Sequence, residues 1–275
     1  ARDRADVSPL GAGALAGSSL PLDPDGVAVD LGFAARFENS LDAVSDRDFV
    51  AEALFALALL GVHLSRIGEE MILWSTAEFG FVDLDDSFAT GSSMLPQKKN
   101  PDIAELARGK TGRLIGHLTG LLTTLKGLPL TYNKDLQEDK EPLFDACDTV
   151  RLTLLALDGM VSTLELRTDR MAEAADSPYA AAVDLAEFLV TGGTPFREAH
   201  AVVGALVRTA LAGEGSLVDL VAADERLGPE AAALLAPGVA VRRRTTPGGA
   251  GPEPVAVQRE RFAEQLAAQQ SRLGA

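Results

Sequence analysis

Three long stretches of the chain carry apolar residues at steps of three and four, which is the spacing of one helical face. The first stripe consists of Phe49, Ala53, Leu57, Leu60, Leu64, Ile67, Met71 and Trp74. Ser45 is the predicted N-cap of this helix, and Asp48 stands three residues later in a variant of the capping box. No proline interrupts the stripe, so it predicts a rod of about 30 residues and roughly 45 Å. Helices of this length are typical of helix bundles.

The second long helix is predicted to begin at Asn100. Asn is a favoured N-cap residue, Pro101 suits the first helical position, and Asp102 suits the positive end of the helix dipole. The stripe of this helix consists of Ile103, Leu106, Leu114, Leu118, Leu121 and Leu125. Gly127 and Pro129 are expected to end it.

The third long helix follows a polar connection, "TYNKDLQEDKE", at residues 131–141. Pro142 is expected in its first turn, where the missing amide hydrogen has no helical partner to lose. The stripe of this helix consists of Leu143, Ala146, Val150, Leu154, Leu157, Val161 and Leu164. The three stripes together predict a bundle of long helices that bury their apolar faces against one another.

The elements become shorter after Arg167. Four further helices are predicted at residues 180–191, 195–212, 216–223 and 255–273. Residues 1–39 are rich in Gly and Pro and are predicted to be a loop, and we find no convincing strand anywhere. The sequence therefore predicts an all-α protein with a long-helix domain at residues 1–173 and a smaller helical domain at residues 174–275.

The composition narrows the classes of partner. The 275 residues carry a net charge of −15, and 47% of them are hydrophobic. Such an acidic chain lacks the basic face that nucleic acids or anionic membranes require. The longest uncharged run, Val7–Leu22, is broken by Gly, Pro and Ser and does not resemble a membrane span. A few local lysines can still form a positive pocket for a small anionic substrate.

Cysteine and histidine usage argues against structural metal sites and disulfides. Cys147 is the only cysteine, so no disulfide can form within the chain, which fits a reducing compartment. The three histidines, His63, His117 and His200, lie far apart and lack the spacing of metal ligands. We therefore expect no metal site.

The stretch "TGSSMLPQKKNPD" separates the first two long helices. Gly91 allows a sharp bend, Ser92 supplies a hydroxyl group, and Lys98 with the following helix start forms a natural anion site. A serine in such a field can transfer protons. Taken residue by residue, however, a capped connection between helices with solvated lysines explains the same composition.

The complete order Gly91-Ser92-x-x-Leu95-x-x-Lys98-x-Asn100 is more specific. It resembles the loop of the fumarase/aspartase superfamily, whose pattern is Gly-Ser-x-x-Met-x-x-Lys-x-Asn. Leu95 stands at the position of the family's Met. Because Leu and Met are similar in volume and polarity, we expect the exchange to preserve activity.

Further stretches narrow the resemblance to the argininosuccinate lyases. They are "NSLDAVSDRDFVAE", "LKGLPLTYNKDLQEDKE", "SPYAAAVDLAEFLV", "GTPFREAH" and "GGAGPEPV". The resemblance implies an all-α, long-helix bundle of the fumarase/aspartase type in a cytoplasmic homotetramer whose subunits share active sites. It also implies reversible β-elimination of argininosuccinate to arginine and fumarate, in arginine biosynthesis and without a cofactor.

The resemblance also implies roles for individual residues. Ser92 matches the catalytic serine of the loop. Lys98 and Asn100 match residues that stabilise a substrate carboxylate while negative charge moves onto it. Substrate binding is expected from Tyr132, Gln137 and Lys140, and, on a weaker match, from Arg47.

The family has additional chain before the segment that Ala1 resembles, and that part holds a Thr-His pair acting in proton transfer. No such pair occurs here. We therefore expect the 275 residues alone to be an incomplete enzyme without substantial activity. A non-catalytic structural protein like the delta-crystallins remains an alternative. A sister lyase acting on adenylosuccinate, fumarate or aspartate is a third interpretation, against which the stretch from Tyr132 to Lys140 argues.

Overall fold

A computed structural model describes residues 2–91, 93–95 and 98–273 of the chain. These residues form two compact units, Ala1–Arg167 and Thr168–Ala275. The predicted boundary lay between residues 173 and 174. The observed division instead follows the end of a short strand, so the next helix, Thr168–Ala175, lies wholly within the second unit.

The first unit is built on three long helices, as the apolar stripes predicted. Its α-helices are α1 (Arg2–Ala5), α2 (Pro24–Asp30), α3 (Ser40–Ser45), α4 (Asp48–Ser75), α5 (Asp102–Leu125) and α6 (Lys140–Thr163). Helix α4 has 28 residues and is therefore roughly 42 Å long. Pro142 lies in the first turn of α6, which confirms that prediction.

The strands of this unit are short pairs rather than a sheet. They are β1 (Val7–Ser8) parallel with β2 (Ala35–Arg36), β3 (Val82–Asp83) antiparallel with β6 (Glu165–Leu166), and β4 (Thr90–Gly91) antiparallel with β5 (Lys99–Asn100). Three-residue and six-residue 3₁₀ turns occur at Asp86–Phe88 and Lys134–Asp139. The predicted all-α class is confirmed, but residues 1–39 contain α1, α2 and the β1–β2 pair in addition to loop.

The predicted cap of α4 at Ser45 is wrong. Asn39 caps a separate short helix, α3, by accepting hydrogen bonds from the amides of residues 41 and 42. Ser45 ends that helix, and its hydroxyl donates to the Leu41 carbonyl at 2.9 Å. The long helix starts only at Asp48, whose amide donates to the Asp46 carboxylate at 3.0 Å. A break at residues 46 and 47 therefore separates two helices where one was expected.

Helices α4 and α5 approach each other closely at two glycines of α4. A Cβ atom on Gly61 would lie 2.5 Å from Leu114 Cδ1, and a Cβ atom on Gly68 would lie 2.7 Å from the Ala104 carbonyl oxygen. The hydroxyl of Thr111 also donates to the Gly61 carbonyl at 2.8 Å. The core of the first unit therefore depends on backbone contact that a larger residue would prevent.

Replacing Gly68 by Ala is expected to destabilise the first unit. Ala normally stabilises a helix by about 1 kcal/mol relative to Gly, but overpacking costs about 1–3 kcal/mol. The clash here is with a backbone oxygen, which cannot rotate away. The matched control is Gly204→Ala on a helix of the second unit, where a Cβ atom would meet only the Arg208 guanidinium at 3.5 Å. Urea unfolding should show a lower free energy for Gly68→Ala and an unchanged or higher one for the control; a Gly68→Ala variant more stable than the wild type would contradict this packing.

Helix α4 is also long and apolar enough, by length and composition alone, to cross a membrane, and no other helix of the described residues meets that test. The central helix of a soluble bundle has the same length and composition. Six α4 residues are buried, among them Leu54, Ala58 and Leu64, and the helix packs against α5 and α6.

The second unit consists of shorter helices around its own core. These helices are α7 (Thr168–Ala175), α8 (Ala182–Thr191), α9 (Phe196–Leu211), α10 (Leu217–Ala223), α11 (Gly228–Ala232), α12 (Val239–Arg242) and α13 (Pro252–Leu273), with a 3₁₀ turn at Ala233–Leu235. Leu185, Ala199 and Val221 are among its fully buried residues. A buried carboxylate, Asp184, accepts hydrogen bonds from Arg243 at 3.0 Å and from Arg244 at 2.7 Å, so the basic run after α12 is fixed to α8.

Candidate active site

The serine loop, residues 90–100, has a structured base. Strands β4 and β5 pair Thr90 with Asn100 and Gly91 with Lys99. The Thr90 hydroxyl donates to the carboxylate of Asp102, and the Asn100 side-chain amide donates to the Thr90 carbonyl at 3.2 Å. Ser92, the predicted catalytic serine, lies outside the described residues, so its role stays a prediction.

Asn100 does not cap α5, contrary to the prediction. The helix begins at Asp102, Pro101 occupies the N-cap position, and no side chain makes a capping hydrogen bond there. Asn100 belongs instead to β5, and its amide is used within the loop base. This placement makes Asn100 the last residue of the serine loop, two residues before the start of α5.

The two adjacent lysines have different surroundings. Lys98 is exposed, its amide donates to the Leu95 carbonyl at 3.0 Å, and its ammonium group has no ion-pair partner within the described part of the chain. Lys99 contacts the protein body: its Nζ lies 2.8 Å from Asp86, 2.9 Å from the Leu84 carbonyl and 3.2 Å from Asp83. Hydrogen bonds to Asp86 and then Asp83 raise the pKa of Lys99. Lys98 is thus the lysine that remains available to an anion.

The polar segment, residues 131–141, holds three of the four predicted substrate-binding residues, at the other end of the bundle. The Gln137 amide donates to the Tyr132 hydroxyl across the 3₁₀ turn Lys134–Asp139. Tyr132 is exposed, while Leu136 is buried beneath the turn. Lys140 starts α6, with its Nζ 2.8 Å from the Asp139 carboxylate.

Arg47 holds this segment against the start of α4. Its Nε lies 2.6 Å from Asp139 Oδ2, and its Nη1 donates to the Asp46 carbonyl at 2.6 Å. Only 5% of Asp139 is exposed, so the pair is largely removed from water. Asp139 therefore contacts two predicted site residues, Arg47 and Lys140, yet sequence reasoning assigned it no role. Its partner lies 92 positions away, and no local pattern signals that contact.

A cavity of about 1180 Å³ opens beside this segment within the first unit. Arg47, Tyr132, Asp139 and Lys140 lie in its wall, together with apolar residues such as Phe144. Gln137, Lys98 and Asn100 do not line it. The structure thus brings together three of the predicted binding residues with four carboxylates, those of Glu38, Asp42, Asp46 and Asp139.

The serine loop and the polar segment lie at opposite ends of α4. Arg47 directly precedes this helix and contacts the polar segment. The loop base contacts residues 83–86, which follow the end of the helix. Because the start of α5 packs beside Gly68, which lies roughly 30 Å along α4 from Asp48, the two groups are separated by roughly 30 Å within one chain. They cannot act on the same small substrate in the same copy.

The histidines of the described residues contact neither the serine loop nor the polar segment. His63 and His200 are exposed. His117 Nε2 lies 2.6 Å from Asp145 Oδ2, and this hydrogen bond is the main reason that the pKa of Asp145 is lowered. No group of three or more His, Cys, Asp or Glu side chains among the described residues is arranged to hold a metal ion.

Known proteins resemble this chain over most of its length. Residues 1–116 match the family described as Lyase, and residues 179–241 match the one described as Argininosuccinate lyase C-terminal. The argininosuccinate lyase of Frankia casuarinae is 59% identical over 262 residues, covering 93% of this chain and 56% of that protein. The argininosuccinate lyase of Mycobacteroides abscessus is 57% identical over 262 residues, covering 94% and 55%. The chain thus spans just over half the length of these curated relatives.

Solved structures show the same fold. A variant of EDDS lyase with bound fumarate is 31% identical, with a TM-score of 0.83, and the match covers 99% of this chain and 57% of that one. The class II fumarase of Schistosoma mansoni has a TM-score of 0.68 at 16% identity, covering 84% of this chain and 53% of that one, which shows a shared fold alone.

Proposed function

Because the chain belongs to the argininosuccinate lyase family, we propose that the protein carrying it catalyses the reversible β-elimination of argininosuccinate to arginine and fumarate. The observation that carries this proposal is the identity of 59% to a curated argininosuccinate lyase over 93% of the chain. The retained serine loop and polar segment support it. We also propose that this enzyme is cytoplasmic and acts in arginine biosynthesis.

The serine loop supplies the proton-transfer side of the proposed reaction. Ser92 takes the proton from the carbon next to a substrate carboxylate, and the C–N bond to the leaving guanidino nitrogen then breaks. That nitrogen receives a proton from another group, and the carbon skeleton leaves as fumarate. The intermediate carbanion needs its adjacent carboxylate to be strongly stabilised, which is the role of Lys98 and Asn100. The exposed Lys98 ammonium group supports this assignment.

The polar segment supplies the binding side. Lys140 binds a substrate carboxylate, and Tyr132 and Gln137 form hydrogen bonds to polar groups of the substrate. Arg47 acts less directly, because its guanidinium group is already bound to Asp139 at 2.6 Å and only 13% of its side chain is exposed. It holds the segment in place for Lys140.

The distance between the two groups supports an active site that draws on more than one copy of the chain. We therefore propose that the protein is a homotetramer whose subunits share active sites. Exposed apolar residues on all three long helices, including Phe55, Ile115 and Leu155, support such an assembly. A row of α5 glycines on the face opposite its buried side, Gly109, Gly112, Gly116 and Gly120, supports it too. Each glycine weakens an isolated helix, but together they allow another helix to approach closely.

Turnover of candidate substrates tests the proposed function. Purified active protein carrying this chain is expected to convert argininosuccinate to arginine and fumarate and to form argininosuccinate from these products. Adenylosuccinate and aspartate serve as matched controls, because their elimination also releases fumarate. We expect no turnover of either control, since the polar segment matches the argininosuccinate lyases. Turnover of adenylosuccinate alone would indicate a sister lyase, and no turnover of any of the three by the assembled protein would indicate a structural role.

A further inference from the structure

The segment preceding the serine loop forms a fixed platform, which we define as residues 82–88. Strand β3 at its start pairs with β6, and Asp83 accepts a hydrogen bond from Arg167 at 2.7 Å. At its end, the Phe88 ring packs against Gly159 of α6 so closely that a Cβ atom there would lie 2.4 Å from a ring carbon. The platform is thus held by two different parts of the first unit.

Lys99 connects the C-terminal arm of the serine loop, residues 98–100, to this platform. Its ammonium group has three acceptors within 3.2 Å, namely the carboxylates of Asp83 and Asp86 and the Leu84 carbonyl. Exposed ion pairs are individually weak, and the Lys99 side chain is 44% exposed. Three acceptors around one ammonium group, one of them a backbone carbonyl, nevertheless define one position for the arm. Hydrogen bonds from Arg167 first, and then from Lys99, lower the pKa of Asp83.

The alternation of side chains explains why two lysines stand side by side. Successive residues of an extended chain point to opposite faces. Lys99 lies in β5 and contacts the platform, so Asn100, the other residue of that strand, is directed to the other face, where its side chain donates to the Thr90 carbonyl at 3.2 Å. Lys98 precedes the strand, is exposed, and, among the described residues, does not contact the platform. Lys99 can therefore attach the arm to the platform while Lys98 remains available to a substrate anion. A single lysine could not do both.

We propose that Lys99 is a positioning residue: it fixes the C-terminal arm of the serine loop to the platform and so directs Lys98 and Asn100 toward the substrate carboxylate. The second half of this inference rests on the proposed elimination. The first half, the attachment of the arm, does not, and the two can be tested separately.

Amide hydrogen exchange tests the attachment in the chain as it stands. Lys99→Met is expected to accelerate exchange in the β4 and β5 strands by about fivefold or more, since local opening becomes easier. Lys99→Arg keeps a donor of the same charge and should restore slow exchange. Arg167→Met removes the other partner of Asp83 and is the matched control, with β4 and β5 expected to stay protected. Unchanged exchange in Lys99→Met would overturn the attachment, whether or not the protein is a lyase.

Kinetics of the active protein test the positioning. Lys99→Met should lower kcat and kcat/KM for argininosuccinate by about 5- to 50-fold, because misdirected groups lose transition-state contacts. Lys99→Arg should recover most of the loss, while thermal unfolding stays unchanged in both variants. Normal kinetics in a Lys99→Met protein with accelerated exchange would overturn the positioning role. Absence of elimination in the wild type would overturn the proposed function, and the exchange result would still decide the attachment.

Discussion

In active protein that carries this chain, Ser92→Ala is expected to lower kcat for argininosuccinate by about 10²–10⁴-fold, the usual contribution of a general acid or base. One hydroxyl group is lost from a loop, so folding and substrate binding should remain nearly intact. The matched control is Ser93→Ala, which removes the neighbouring exposed hydroxyl. Steady-state kinetics measure the loss, and thermal unfolding tests the fold.

A companion variant, Lys98→Met, should impair both substrate binding and turnover. Its charge attracts the carboxylate in the ground state and stabilises it more strongly as the carbanion forms. Near-normal kcat in Ser92→Ala, or equal losses in the Ser92 and Ser93 variants, would mean that the stretch is only a capped connection between helices.

The long helices could be predicted from the sequence because their signal is local and repeated. The stripe from Phe49 to Trp74 extends over seven turns, and α4 covers it. The helix starts were harder to predict, because several residues compete for each cap. Ser45 ends α3 instead of starting α4, and Asn100 bonds to Thr90 instead of to the helix.

The arrangement of the candidate site could be predicted only in part. The resemblance named Arg47 and Lys140, but not that both contact Asp139. It assigned a role to Lys98, but nothing in the local pattern showed that Lys99 would contact residues 83–86. These contacts join distant parts of the chain, and a single sequence gives no direct signal of such pairs.

We propose that the serine loop of one copy and the polar segment of another form one active site. Ser92→Ala disables the loop, and Lys140→Met disables the binding segment. Each variant alone should have little activity, since every site contains the altered residue. If the two groups come from different copies that assemble at random, about a quarter of the sites in an equal mixture combine an intact loop with an intact segment.

The most direct test is therefore the lyase activity of an equal mixture of Ser92→Ala and Lys140→Met proteins after their subunits have been dissociated and reassembled together. Each variant reassembled alone is the matched control. We predict recovery to about a quarter of wild-type activity, because roughly 30 Å along α4 separates the two groups within a copy. Activity that stays at the level of the separate variants would contradict the account, because each site would then lie within a single copy.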